Sequence, residues 1–232
     1  MKGKLFLVPV TLGDDDYEKV IPGKVLEIIR TLRHFIVEDL RSARRFLRLI
    51  DRNFPIDASE FFILNEHTGD KEISGYLDPA QDGNNIGLLS EAGLPCIADP
   101  GARIVAIAHT RHLTVVPLAG PSSILLALIS SGLNGQKFTF NGYLPAKQAE
   151  VSPVLKELEK RASQGYAQIF METPYRAQKL FTSILEVCDK SRKLCIATNI
   201  TLPDEWIKTM TISQWIKNQP DLKDRLVIFV LQ

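Results

Sequence analysis

The feature that most constrains the fold is a regular alternation, through the first half of the chain, of short apolar runs with segments whose apolar residues recur at helical spacing. Lys4-Leu5-Phe6-Leu7-Val8-Pro9-Val10 is a buried-strand pattern closed by proline and then Gly13. Pro22 opens a helical pattern through Val25, Ile28, Ile29 and Leu32. His34-Phe35-Ile36-Val37, Phe61-Phe62-Ile63-Leu64 and Ile86-Gly87-Leu88-Leu89 follow as further strands, with a helix over 41 to about 52 between the first two. A helix through Ile104, Val105, Ile107 and Ala108 then leads to the strand Leu113–Leu118. Strand and helix in such alternation specify an α/β domain with a mostly parallel sheet.

The second half has another texture. After a helix over Ser122–Ser131, strands are expected at Phe138–Phe140, Ala167–Met171, Leu194–Ala197, Trp206–Thr211 and Leu226–Val230, with helices near 151–164 and 176–188. The late strands follow one another with little helix between them, which predicts a mixed sheet in an α+β domain. The boundary is placed between Pro117 and Gly120, giving domains 1–118 and 119–232, and the default ligand site is a cleft between the two halves.

With 232 residues and 45% hydrophobic content, two such domains each have material for a core. No run approaches the roughly 20 apolar residues of a bilayer span, and Met1-Lys2-Gly3-Lys4 leads into a strand and not a signal peptide, so a cytoplasmic protein is expected. Cys96, Cys188 and Cys195 form no C-x-x-C pair and read as free thiols, and His109 and His112 have no neighbouring ligand set, so no metal is expected. A net charge of +1 confines any nucleic-acid contact to a local cluster.

The chemistry is concentrated in Ser90-Glu91-Ala92-Gly93-Leu94-Pro95-Cys96-Ile97-Ala98-Asp99-Pro100-Gly101, directly after a strand, where parallel sheets bind ligands. Glycines let its backbone turn or approach a ligand, and prolines stiffen it. Pro117-Leu118-Ala119-Gly120-Pro121-Ser122-Ser123, Gly142-Tyr143-Leu144-Pro145-Ala146-Lys147 and Phe170-Met171-Glu172-Thr173-Pro174-Tyr175-Arg176 follow in that order. No G-x-G-x-x-G follows a strand and no Walker A loop is present, so the common nucleotide cradles are excluded.

These four segments resemble the tetrapyrrole (corrin/porphyrin) methylases, and specifically the branch that methylates a cytidine ribose in small-subunit ribosomal RNA. The resemblance covers most of the chain. It implies a two-domain α/β methyltransferase fold with S-adenosylmethionine in the cleft, contacted by Ser90, Glu91, Ala92, Gly93, Ile97, Ser122, Ser123 and Met171 and bordered by Pro9. Thr198-Asn199-Ile200-Thr201-Leu202-Pro203 is similar to the family's stretch over the adenosine, which adds Ile200 and Thr201. The implied partner is ribosomal RNA or the small ribosomal subunit, and the implied assembly is a homodimer, to which Val227–Leu231 is offered as a contributor.

Four segments depart from that branch: Gly13-Asp14-Asp15-Asp16, Glu38-Asp39-Leu40-Arg41, Thr198–Leu202 and Asp224-Arg225, the last standing where the branch has Gly-Glu. The acceptor therefore stays open between a ribose, a tetrapyrrole or another small molecule, as does a cofactor-binding module without turnover. One cluster favours RNA. Arg41, Arg44, Arg45, Arg48 and Arg52 fall on a helical stripe about 100° wide, opposite Phe46, Leu47 and Ile50, as a phosphate-binding face would; a plain solvated face has the same pattern. A ribose hydroxyl needs a proton acceptor as it attacks, and the strand-end candidates are Glu38, Asp39, Glu66, Asp99 and Lys147, with Arg41 and Lys147 also expected to contact the acceptor.

Overall fold

The computed structural model describes residues 2–13, 15–65 and 68–232, and its contacts divide the chain into two compact units, Met1–Ser122 and Ser123–Gln232. The first unit contains β1 (Lys4–Val8), α1 (Gly23–Thr31), β2 (His34–Val37), α2 (Leu40–Ile50), β3 (Glu60–Ile63), α3 (Asp70–Gly75), α4 (Asp78–Gln81), β4 (Ile86–Leu89), α5 (Gly101–Thr110) and β5 (Thr114–Pro117). Its five strands are all parallel, in the order β3-β2-β4-β1-β5.

That order follows from two sequence properties. The inner strand β4, Ile-Gly-Leu-Leu, is buried at every position, while the edge strands β3 and β5 are only partly covered. Each crossover must also be right-handed. From β1 the chain steps one way, to β2 and β3, and α1 and α2 cover one face with Val25, Leu26, Ile29, Ala43, Phe46 and Leu47. From β3 it steps back to β4 and then β5, and α3, α4 and α5 cover the other face with Ile73, Leu77, Ala80, Ile104 and Ala108. The connections after β1 and β4 thus leave adjacent strands toward opposite faces, which is the topological switch point where open parallel sheets take their ligands.

The second unit contains α6 (Ser123–Ser131), β6 (Phe138–Tyr143), α7 (Gln148–Ser163), β7 (Ala167–Glu172), α8 (Pro174–Val187), β8 (Lys193–Thr198), β9 (Trp206–Thr211), α9 (Ile212–Lys217) and β10 (Val227–Leu231). The sheet order is β6-β7-β10-β8-β9, with β6 parallel to β7 and the other pairs antiparallel, a mixed sheet as the sequence predicts. The last strand corrects one expectation. Val227–Leu231 was offered as part of a dimer surface, yet β10 lies in the middle of the sheet, paired on both edges and buried at all five positions. An unbroken apolar strand is what a position covered on both faces requires.

Three short helices escape the periodicity argument. Both α3 and α4 are too short to show an apolar stripe, and α9 is announced instead by a capping box, the Thr211 hydroxyl accepting from the Gln214 N–H while the Gln214 side chain accepts from the Thr211 N–H. No helix among the described residues is long and apolar enough to cross a membrane.

Candidate active site

Register aligns the carboxyl ends of the first unit's strands. Val8 pairs with Leu89 and Val37 with Leu89, so Pro9, Glu38 and Ser90 emerge side by side. The loops after β1 and β4 are then stitched together by the Val10 N–H to the Gly93 carbonyl at 2.9 Å and the Gly93 N–H to the Thr11 carbonyl at 3.4 Å. Gly93 stands at φ +71°, and a Cβ there would meet the Pro121 carbonyl oxygen at 3.2 Å. Gly120 approaches still closer, since its Cβ would lie 2.1 Å from Pro9 Cβ. Pro9, the Ser90–Gly93 turn and the Gly120–Ser122 turn therefore form one contiguous rim at the switch point.

The rim is strained as well as compact. In the stretch after Gly93, Cys96 and Ala98 both take positive φ, +71° and +62°, where L residues are disfavoured. Ile97, held between them, is 40% exposed. Burial, and next the Asp99 charge, push the Cys96 thiol up to about 11, so it is not a nucleophile at neutral pH.

Beside the rim, Glu38, Asp39, Asn65, Glu91, Ala98, Asp99 and Pro100 line an open cavity of about 650 Å³. Of the expected acids, Glu38, Asp39 and Asp99 meet there, while Glu66, like His67 and Asp14, lies outside the described residues. Glu91, expected only as a cofactor contact, also faces this cavity, which the alignment of adjacent strand ends explains. Burial raises the Glu38 carboxyl above its ordinary value, the charges of Glu91 and Asp99 raise it further, and a hydrogen bond from the Glu91 backbone opposes them. Asp39 is set to another task. It caps α2, its Oδ1 accepting from the Ser42 N–H at 2.7 Å, and that bond first, then the Ser42 side chain, lowers its carboxyl. Asp99 Oδ1 accepts from the Gly101 N–H at 2.7 Å, and its buried Oδ2 has no hydrogen-bond partner among the described residues. Among the described residues no three or more His, Cys, Asp or Glu side chains are grouped to hold a metal ion.

From this cavity α2 runs outward with Ala43, Phe46, Leu47 and Ile50 buried and Arg41, Arg44, Arg45 and Arg48 exposed, Arg52 following in the turn beyond. None of the five forms an ion pair among the described residues. Arg44 lies over the Phe61 ring at 5.4 Å, Arg48 donates to the Arg52 carbonyl at 2.7 Å, and Arg45 lines a second small cavity with Thr11, Gly13, Ser42, Ser90 and Glu91.

In the second unit, Met171 is the penultimate residue of β7, and Glu172, which closes the strand, has a side chain 1% exposed and ion-paired with Arg176. Arg176 also donates to the Leu144 carbonyl at 2.9 Å, fixing the segment that ends at Lys147. The Lys147 side chain is 84% exposed and lies 3.6 Å from Glu150. Ser122 closes the first unit and Ser123 begins α6. Ile200 and Thr201 are buried in a turn where Asn199 and Thr201 have φ +48° and +73°. That turn is tied down by Asn199 Nδ2 to Asp204 at 2.7 Å, the Thr201 N–H to Glu205 at 2.7 Å, and the Leu226 N–H to Asn199 Oδ1 at 3.0 Å. Two of the departing segments, Thr198–Leu202 and Asp224-Arg225, are therefore neighbours, with Arg225 donating to the Thr198 hydroxyl at 3.4 Å. Asp224 has φ +60°, so the aspartate occupies a backbone state that glycine adopts freely.

Known proteins resemble this chain in sequence and in fold. Proteins named Ribosomal RNA small subunit methyltransferase I match nearly the whole chain: that of Escherichia coli O157:H7 is 28% identical over 100% of this chain and 78% of its own length, and that of Vibrio cholerae is 30% identical over 94% and 73%. The Bacillus subtilis protein of that name is 30% identical over 92% of this chain and 69% of its own length. Among solved structures, the methyltransferase CobJ superposes with a TM-score of 0.62 at 14% identity, covering 98% of this chain and 93% of that one, which bears on the fold alone. The family model described as Tetrapyrrole (Corrin/Porphyrin) Methylases matches residues 4–215, and with it the two sheets and the rim acquire a common origin: this chain is a methyltransferase belonging to that family.

Proposed function

We propose that the chain transfers the methyl group of S-adenosylmethionine to a ribose 2′-hydroxyl of ribosomal RNA. The observation that carries this reading is the adjacency, in one unit, of a partly buried carboxylate cavity and an arginine face with no ion pair among the described residues. A hydroxyl acceptor needs the first and a polyphosphate acceptor the second. A row of guanidinium groups spread along a helix suits the regularly spaced phosphates of a nucleic-acid strand. The names of the relatives point the same way.

The proposed cofactor contacts are Pro9, Ser90, Glu91, Ala92, Gly93, Ile97 and Ser122 in the first unit, and Ser123, Met171, Ile200 and Thr201 in the second. The rim suits such a ligand: Gly120 draws its turn closer than a side chain allows, Gly93 turns at a positive φ, and Cys96 and Ala98 hold strained backbone on either side of the part-exposed Ile97. When bound, the cofactor supplies an electrophilic methyl carbon on a sulfonium. Glu38 would take the proton of the acceptor hydroxyl, its affinity for it enhanced by burial and by Glu91 and Asp99. Arg41, Arg44, Arg45, Arg48 and the exposed Lys147 hold the acceptor's phosphates.

The reading extends to a cytoplasmic homodimer. The cytoplasm is where small ribosomal subunits are found, and Leu125 and Ile129 on α6, 45% and 76% exposed, form an apolar strip suited to self-association. The decisive experiment is incubation with labelled S-adenosylmethionine and small ribosomal subunits from cells lacking this protein, then mapping of the labelled nucleotide. Label at a single ribose supports the proposal; label only on a porphyrinoid, or none, refutes it.

A further inference from the structure

The charge along α2 is divided in a way that methyl transfer alone does not explain. At its amino end are the acids of the cavity, Glu38, Asp39, Glu91 and Asp99; along its exposed face are only arginines. Phosphates are repelled by the first group and drawn to the second, so within this unit the course outward along the helix is favoured for a strand with its acceptor ribose at Glu38. We propose that the exposed face of α2 is a phosphate track for single-stranded RNA, holding the nucleotides on one flank of the acceptor and leaving the other flank without contact to this helix.

The dimensions fit. At 1.5 Å per residue Arg41 and Arg48 stand about 10 Å apart along the axis. A stacked strand advancing about 3.4 Å per nucleotide covers that in about three nucleotides. Arg41 and Arg45 serve the near end, Arg45 lining the small cavity with Ser90 and Glu91, and Arg48 serves the far end. Arg44 differs from them because the Phe61 ring beneath it fixes its plane. The opposite face is anchored by Phe46, Leu47 and Ile50, so the guanidinium row is carried on a rigid element and its spacing is preset.

The proposal rests on the RNA reading above, and its test separates the two. Binding of fluorescent oligouridylates is measured against salt for the parent and for a variant with Arg41, Arg45 and Arg48 all changed to Gln. Each lost phosphate contact lowers the slope of log affinity against log salt by about 0.7, so the triple variant should lose about 2. Replacement of the same three by Lys should keep the slope, because it counts charges and not shapes. An unchanged slope in the glutamine variant, with the same melting temperature as the parent, overturns the track. A second arm truncates the mapped RNA substrate from either end. Loss of methylation confined to one end supports the one-sided course; equal loss from both ends overturns it while leaving RNA methylation standing. No methylation of any RNA by the parent would instead remove the reading beneath it.

Discussion

Gly120→Ala tests whether the rim depends on the contact between the turns after β5 and β1. The added Cβ would fall 2.1 Å from Pro9 Cβ and 2.6 Å from its Cγ, against the roughly 3.5–4.0 Å of ordinary carbon contacts. One turn must withdraw by about 1.5 Å, and overpacking of this kind costs about 1–3 kcal/mol. Displacement of a positioning element by about 1 Å lowers rates by about a hundredfold. The matched control is Gly132→Ala, at φ +69° with nothing within 4 Å, where the cost is about 1 kcal/mol of backbone strain alone. Urea unfolding should show both variants destabilised, Gly120→Ala by as much as the control or more. Calorimetry with S-adenosylhomocysteine and a turnover assay should show only Gly120→Ala impaired, by tenfold or more in affinity. Parental binding by Gly120→Ala, or equal impairment of the control, would refute the inference that this close approach shapes the site.

Four further outcomes are expected. Activity should fall as pH drops through the Glu38 pKa, at a value above the ordinary 4.5; Glu91→Gln should move that limb to lower pH, and Glu38→Gln should abolish it. Because the folded-state pKa of Glu38 is raised, its favourable contribution is present below the unfolded pKa and lost as pH rises through the folded one, so Glu38→Gln should raise the melting temperature more at neutral pH than in acid. Asp39→Ala should cost about 1 kcal/mol at neutral pH through loss of the α2 cap, a deficit that shrinks as pH falls through the depressed pKa of the parent's Asp39, as urea titrations at two pH values would show. Arg176→Ala should destabilise by about 3–5 kcal/mol in urea by stranding the buried Glu172 carboxylate, with Glu172→Leu in the same chain restoring part of the loss.

Strands were legible because their apolar runs are short and bounded: His34–Val37, Ile86–Leu89 and Trp206–Thr211 coincide with β2, β4 and β9. Helices of three turns or so were legible through their stripes, and α2 shows the buried and exposed faces that its spacing requires. What remained hidden depends on pairing partners. Nothing in Val227–Leu231 by itself says that β10 is inserted between β7 and β8, so its exposure was misjudged. Nor does the spacing of Glu38 and Glu91 in the chain reveal that parallel register places both at one cavity. The Thr211 and Gln214 capping box was a readable signal for α9, masked because the preceding strand continues up to it.

The turn at Asn199 has a consequence for anyone building chimaeras in this family. Asn199 exchanges bonds with Leu226, 27 residues downstream, through both its backbone and its side chain, and Asp204 shares the same side chain. A relative's version of either stretch, transplanted by itself, would arrive without its counterpart and meet a mismatched mate. Only exchange of both stretches together should yield a soluble hybrid, which makes them one inherited module despite their distance along the polypeptide.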